Sequence, residues 1–261
     1  MNMVVSIKQV PDTTEVRINP ETNTLIREGV PSIVNPFDMY AIEEAIRLKE
    51  RFGGTTTVIT MGPPQAKEAL KTAISMGIDD AILVSDRAFA GSDTWATSLT
   101  LAATIKKLGS IDLVICGKQA MDGDTAQVGP GIAEHLQIPF VAFVRKVEEV
   151  KDGFIRVERL MEEGYDVIEM PLPALITVVK EINEPRIPAL KGLMRAKKID
   201  PKTMIASELA VNPNEIGLKG SPTLVTRIFT PQPKGKGEIL SGVIEHQVET
   251  LITKLREQKI F

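Results

Sequence analysis

An anion is held most simply where backbone N–H groups, small side chains and a helix start meet. Residues Leu113 to Leu136, LVICGKQAMDGDTAQVGPGIAEHL, offer all three. Leu113 to Cys116 reads as a buried strand and Ile132 to Leu136 as helix, with a polar loop of Gly, Asp, Thr and Gln between them. A helix start carries unsatisfied N–H groups and the positive end of the dipole, which together bind phosphate. Gly123, Thr125 and Ala126 are small enough for an anion to approach the backbone. Pro130 has no N–H to lose and suits a first helical turn, so the helix is expected to start near Gln127. The loop matches neither the dinucleotide fingerprint nor the P-loop pattern, and spacing alone leaves an ordinary strand-to-helix turn as an equal reading.

The elements around this loop decide whether it has company. Apolar strands are expected at Met3–Ile7, Thr56–Met61 and Ala81–Ser85. Helices are expected at about Met39–Phe52, Gln65–Met76 and Asp93–Leu108, stopped by Gly53 and Gly77 in the first two cases. Residues 12–34 read as a small hairpin or an irregular excursion. Phe140–Val150 and Phe154–Leu160 read as strands around an Asp152-Gly153 turn, with another at Leu175–Val179. Strand–helix alternation up to residue 140 implies an α/β fold, a parallel sheet with helices on both faces. Ligands in such sheets sit beyond the carboxyl ends of the strands. Those ends are Ser6-Ile7-Lys8, Thr60-Met61-Gly62, Ser85-Asp86 and Cys116-Gly117-Lys118, and most lead into polar or Gly-rich turns.

The chain of 261 residues suits one large α/β domain with or without an arm. A net charge of −3 argues against general nucleic-acid binding. Cys116 is the only cysteine, so an internal disulfide is impossible. His135 and His246 are isolated and suggest neither a metal site nor a Ser-His-Asp arrangement. No leader or membrane-spanning run is apparent, and a cytoplasmic location is expected. After Glu181 the character changes. NEPRIPALKGLMRAKKID is basic, with Leu190, Leu193 and Met194 spaced for a short amphipathic helix or an exposed loop. PQPKGKG (Pro231–Gly237) reads as a linker, and Glu245–Lys259 as an amphipathic helix with Val248, Leu251, Ile252 and Leu255 on one face. The division expected is a nucleotide-binding domain over 1–200 and a C-terminal arm over 201–261 whose apolar stripe needs a second subunit.

Five segments, in order, carry a family resemblance: KQVPDT (Lys8–Thr13), NPFD (Asn35–Asp38), TMGPPQA (Thr60–Ala66), CGKQAMDGDTAQVGP (Cys116–Pro130) and EPRIPALKGLMRAKK (Glu184–Lys198). Together they resemble the β subunit of electron transfer flavoproteins over essentially the whole length. The resemblance implies a flavodoxin-like, adenine-nucleotide-binding domain, an arm that wraps an FAD-bearing α subunit, and flavin rather than side chains as the carrier of chemistry. Two subtypes compete. In one, the β subunit holds AMP; its relatives usually carry Cys after NPF and bulkier residues in the later loop. In the other, which Asp38 and DGDTAQVGP resemble, a whole FAD replaces AMP and NADH docks over its ring. There one electron passes to ferredoxin or flavodoxin, and the other to the α-subunit flavin and a flavin-dependent dehydrogenase. A non-redox nucleotide-binding module is a third reading.

Carried over residue by residue, the resemblance implies nucleotide contacts from Ser6, Met61 and Gly62 at strand ends. Asn35, Pro36, Phe37 and Asp38 are expected to read the adenine through backbone groups, with Asp38 also serving as N-cap of the helix from Met39. Gln119, Ala120, Met121, Asp122, Gly123, Asp124, Thr125, Ala126, Gln127, Val128, Gly129 and Pro130 form the phosphate loop. Asp122 and Asp124 suit an anion site only if they turn outward or meet ribose hydroxyls. Thr94 and Thr97 either offer hydroxyls to a longer ligand or simply cap a helix. Leu190, flanked by Arg195, Lys197 and Lys198, matches the anchor of the segment that docks onto the dehydrogenase.

Overall fold

The computed structural model describes residues 1–12, 32–226, 235 and 237–260. The chain falls into two units, Met1–Arg227 and Ile228–Phe261.

In the first unit the strands are β1 (Asn2–Ser6), β2 (Gln9–Pro11), β3 (Ser32–Val34), β4 (Thr55–Met61), β5 (Asp80–Val84), β6 (Leu113–Gly117), β7 (Phe140–Lys151), β8 (Phe154–Met161), β9 (Gly164–Pro171), β10 (Ala174–Val178) and β11 (Lys202–Met204). The helices are α1 (Pro36–Phe52), α2 (Lys67–Met76), α3 (Thr94–Leu108), α4 (Val128–Leu136) and α5 (Leu190–Lys198). Nine strands form one sheet in the order β11-β5-β4-β1-β6-β10-β7-β8-β9. Pairing is parallel from β11 through β7 and antiparallel across β7, β8 and β9. The expected α/β class is therefore present, with helices on both faces.

The central strands are buried on both sides, which is why β1, β6 and β10 read as unbroken apolar runs. Met3, Val5, Val58, Leu83 and Ile115 pack with Ala41, Ile42 and Ala45 of α1 and Leu70 and Ile74 of α2 on one face. Val4, Ile59, Val114 and Cys116 pack with Leu101 and Ile105 of α3 and Ile132 of α4 on the other. From β1 the chain steps outward through β4 to β5, then returns by α3 to β6 on the opposite side of β1. The strand order thus reverses between β1 and β6, and a crevice opens beyond their carboxyl ends.

Several boundaries differ from expectation for local reasons. α1 begins at Pro36, with Asn35 as N-cap, so Asp38 is not the cap but a residue of the first turn. Proline suits the first helical position, which moves the start three residues upstream of Met39. α3 is capped by Asp93, whose carboxylate accepts from Trp95 N and Ala96 N at 3.0 and 3.1 Å. The excursion expected over 12–34 lies mostly outside the described residues; its ends pair as β2 and β3. β9 and β11, which the sequence reading does not foresee, lie at the two edges of the sheet. Residues 201–226 pack in the first unit, with Met204, Leu209 and Ile216 buried. In the second unit α6 (Ile244–Glu257) leaves Ile244, Val248 and Leu251 exposed. Among the described residues no helix is long and apolar enough to cross a membrane, and no cluster of metal-ligating side chains occurs.

Candidate functional site

Four parallel strands end on one cavity of about 840 Å³. β1 contributes Ser6 and, just beyond its end, Lys8; Met61 and Gly62 come from the end of β4, Ser85 and Asp86 from that of β5, and Gly117 and Lys118 from that of β6. The α1 start adds Asn35 and Asp38, the α3 start adds Thr94 and Thr97, and the loop before α4 adds Gln119, Ala120, Gly123, Thr125, Ala126 and Gln127, followed by Val128 and Gly129. The crevice that opens at the strand-order reversal and the loop picked out by sequence are one site.

The remaining residues expected there buttress the wall. Pro36 opens α1, and the Phe37 ring lies 6.0 Å below the Lys118 ammonium. Met121 is exposed, and its N–H donates to Asn35 Oδ1 at 3.1 Å. Asp122 turns to Lys8 Nζ at 2.6 Å, and Asp124 accepts from the Gln119 side chain. Pro130 sits in the first turn of α4, whose N-cap is Gln127. Both aspartates of the loop are thus engaged by protein donors, which removes the objection to carboxylates beside an anion.

Two features shape the loop. Asp124 and Ala126 adopt φ of 52° and 55°, the left-handed region, which turns the chain sharply around its own N–H groups. Asn35 fixes the loop from below: its Nδ2 donates to Gln119 O at 2.8 Å while its Oδ1 accepts from Met121 N. Gly129 lets α4 sit on β10, since a Cβ there would stand 2.7 Å from Thr177 Cγ2. Gly123 faces open space, its nearest neighbour being Lys8 Nζ at 4.0 Å from a built Cβ.

Asp38 is the buried charge of the site, 5% exposed. It accepts from Lys8 N at 2.7 Å, and with its bond to Gly117 N it ties the ends of β1 and β6 to the start of α1. Burial pushes its carboxyl up to about 7, against the pull of hydrogen bonds from Lys8, Asn35 and Gly117. Burial, with Asp38 alongside, likewise pushes the Cys116 thiol up, which makes it inert. Asp86 accepts from Ala88 N and Ala206 N, both at 3.0 Å, and these bonds hold its carboxyl below the usual range. Asp93 is taken up by capping and by Thr223. The free charges on the cavity are therefore cationic: Lys118 and Arg87 have no ion pair among the described residues, and Lys8 shares Asp122.

Thr94 and Thr97 line the cavity, and neither hydroxyl makes a hydrogen bond within the described residues. Asp93 does the capping, which leaves both hydroxyls for a ligand. Lys8, Lys118, Gln65 and Arg87 also line the cavity without having been singled out as contacts; Lys118 directly follows the end of β6 and Lys8 lies two residues past that of β1, a signal the sequence did carry.

The docking candidates lie elsewhere. Leu190 is 74% exposed at the start of α5, and Lys197 and Lys198 are exposed at its end. Arg195 instead turns inward, its Nη1 donating to Ile78 O at 2.8 Å and its Nη2 to Asp79 O. Arg195 thereby fastens α5 to the end of α2, and Gly192 allows the close approach to the Ser75 carbonyl.

The electron transfer flavoprotein domain matches residues 22–209. The chain is 54% identical over 261 residues, the whole of both proteins, to the electron transfer flavoprotein subunit beta of Thermoanaerobacterium thermosaccharolyticum. It is 49% identical over 262 residues, again the whole of both, to the caffeyl-CoA reductase-Etf complex subunit CarD of Acetobacterium woodii. Over 242 residues, 90% of this chain and 86% of the relative, it is 50% identical to protein FixA of Azotobacter vinelandii. With its parallel sheet, its cavity at the strand-order reversal and these whole-length identities, the chain belongs to the electron transfer flavoprotein β subunit family.

Proposed function

We propose that this β subunit holds a whole FAD in the strand-end cavity, takes electrons from NADH there, and divides them between ferredoxin or flavodoxin and the flavin of an α subunit. The observation that carries the reading is the extent of the cavity. It runs from the 119–130 loop to the free hydroxyls of Thr94 and Thr97, and its roughly 840 Å³ lies in the upper part of the ~300–1,000 Å³ usual for small-molecule sites. AMP has fewer than half the non-hydrogen atoms of FAD and leaves much of that space to solvent. The residues fit the larger group. Backbone N–H groups around Asp124 and Ala126, with the α4 start, would hold the pyrophosphate. Asn35, Asp38 and Ser6 form the wall for the adenosine, and Thr94 and Thr97 would meet the ribityl and ring end.

FAD, when bound, supplies the change from two-electron to one-electron transfer. The protein's own part is to orient it, to screen its phosphates with Lys8 and Lys118, and to exclude water with Met61, Phe89 and Leu101. α6 and the rest of residues 228–261 are assigned to the α subunit, whose surface would cover the exposed Ile244, Val248 and Leu251. Leu190 and the exposed lysines of α5 are assigned to docking a flavin-dependent dehydrogenase. The test is an anaerobic NADH titration of the heterodimer loaded with FAD. Bleaching of two flavins supports the reading; no flavin bleaching removes it.

A further inference from the structure

The segment that carries Leu190 has little packing of its own to hold it. Every residue from Asn183 to Arg195 is exposed or half-buried, and Ile187 and Leu190 are 92% and 74% exposed. Apolar burial therefore does not set its position, and polar bonds must. Its far end is fastened by Arg195 on the carbonyls that follow α2. Its near end is bolted along α1. Asn183 Nδ2 donates to Tyr40 O and to Glu44 Oε2, both at 3.0 Å, and Arg47 Nη2 donates to Glu184 O at 3.0 Å.

Arg186 makes the most extensive of these connections. Its Nε and its backbone N–H donate to Glu43 Oε2 at 2.8 and 3.1 Å, and its Nη2 donates to Glu43 Oε1 at 3.1 Å. Nη1 and Nη2 also donate to the Glu50 carboxylate, at 2.6 and 3.0 Å. Glu43 is 1% exposed, and Arg47 Nε adds a further bond to its Oε1 at 2.7 Å. Burial pushes the Glu43 carboxyl up, but the hydrogen bonds from Arg186 and Arg47 outweigh it and hold the group below the usual carboxylate range. A guanidinium forked over two carboxylates fixes direction as well as distance, which an ammonium does not. A buried ion pair adds little net stability over an apolar pair of the same size, and its best-attested use is to fix register. What is fixed here is the backbone just before Ile187 and Leu190. The same helix presents Asn35, its N-cap, and Asp38 to the strand-end cavity.

We infer that Arg186 is a positioning residue for interprotein electron transfer: its fork on Glu43 and Glu50 holds the docking segment on α1, so that the apolar anchor and the wall of the nucleotide cavity keep one fixed geometry. This inference rests on the dehydrogenase-docking reading above and adds to it the residue that presents the anchor. Without the fork, the segment must be ordered at the moment of docking, a cost that falls on partner affinity and not on flavin binding.

The experiment uses the FAD-loaded heterodimer and, as probe, an acyl-CoA dehydrogenase reduced by its acyl-CoA and chosen because the wild-type heterodimer oxidises it saturably. Arg186→Met should raise the KM for the dehydrogenase roughly fivefold or more, with kcat changed far less and flavin content unchanged. Arg186→Met alone leaves Glu43 short of a buried partner, so the double variant Arg186→Met/Glu43→Met removes both and spares the fold. Its Tm should return towards wild type while its KM stays raised. Arg186→Lys keeps the charge without the fork and should fall between wild type and Arg186→Met. A wild-type KM in the double variant, where Leu190→Ala raises it, overturns the positioning role alone. A KM that does not move in Leu190→Ala either overturns the docking reading with it.

Discussion

Gly117→Ala is the most informative substitution in the wall of the strand-end cavity. Gly117 ends β6 where α1 begins, and a Cβ there would stand 2.7 Å from Phe37 C and 2.8 Å from Asp38 N, closer still to the Asp38 carboxylate. Two of these neighbours are backbone, so no side-chain rotation relieves the contact. The α1 start must move, at about 1–3 kcal/mol for overpacking, and the strained Asp38 bond adds about 1–3 kcal/mol. For a chain of this size each kcal/mol lowers Tm by about 2–4 °C, so the combined cost of about 2–6 kcal/mol gives a drop of roughly 4–24 °C. The same movement pulls Asp38 and Asn35 away from the Gln119–Met121 loop, so nucleotide retention should fall as well. Gly123→Ala is the control: its Cβ meets nothing nearer than Lys8 Nζ at 4.0 Å, so Tm should hold. Gly123→Trp keeps the fold but fills the space beside the loop and should displace the nucleotide. Thermal melts and cofactor extraction of the three variants decide the matter. A Gly117→Ala protein with wild-type Tm and full cofactor content would refute the reasoning.

Three other outcomes follow from the same geometry. Asp38 titrates near 7 when folded against about 3.8 when unfolded, so the native state binds the proton more tightly; its contribution is complete below about pH 4, is lost as pH rises to about 7, and Asp38→Asn should abolish that slope in urea-unfolding midpoints. Leu190→Ala should slow electron transfer to a dehydrogenase at least several-fold while NADH still reduces the flavin, and equal loss of both rates in stopped flow would exclude a docking role. Expressed without an α subunit, the chain should be clipped by protease within 228–261 before the first unit is cut, as mass spectrometry of the fragments would show; a protease-resistant tail would remove the argument for an arm.

Much of the positioning framework was legible because the central strands are apolar on both faces and the helices are punctuated by Gly, Pro and Asp. β1, β4 and β6 and helices α2, α3 and α4 start or end within a residue or two of their sequence readings. The strand-end rule then placed Ser6, Met61 and Gly117 at one cavity without any contact information. What stayed hidden depends on pairing rather than pattern. β9 exposes Gly164 to Val167 and has almost no apolar alternation, and β11 is three residues long, so neither edge strand announces itself. Asp38 has the composition of an N-cap, and only the fold shows its carboxylate turned back to Lys8 and Gly117. Arg195 looked like one more basic residue of α5 until its guanidinium was found on the Ile78 and Asp79 carbonyls. The open cavity between Phe143 and the tip of the β8–β9 hairpin is invisible in the sequence because the bulge at Phe143 and the hairpin create it together.

The central claim is that the β-subunit cavity holds a whole FAD. Its most direct test is to co-express the chain with an α subunit, reconstitute with FAD, denature the purified heterodimer and quantify the released flavin and adenine nucleotides by chromatography. Two FAD per heterodimer and no AMP is the result the cavity predicts. One FAD and one AMP per heterodimer would contradict it and leave a simple electron carrier.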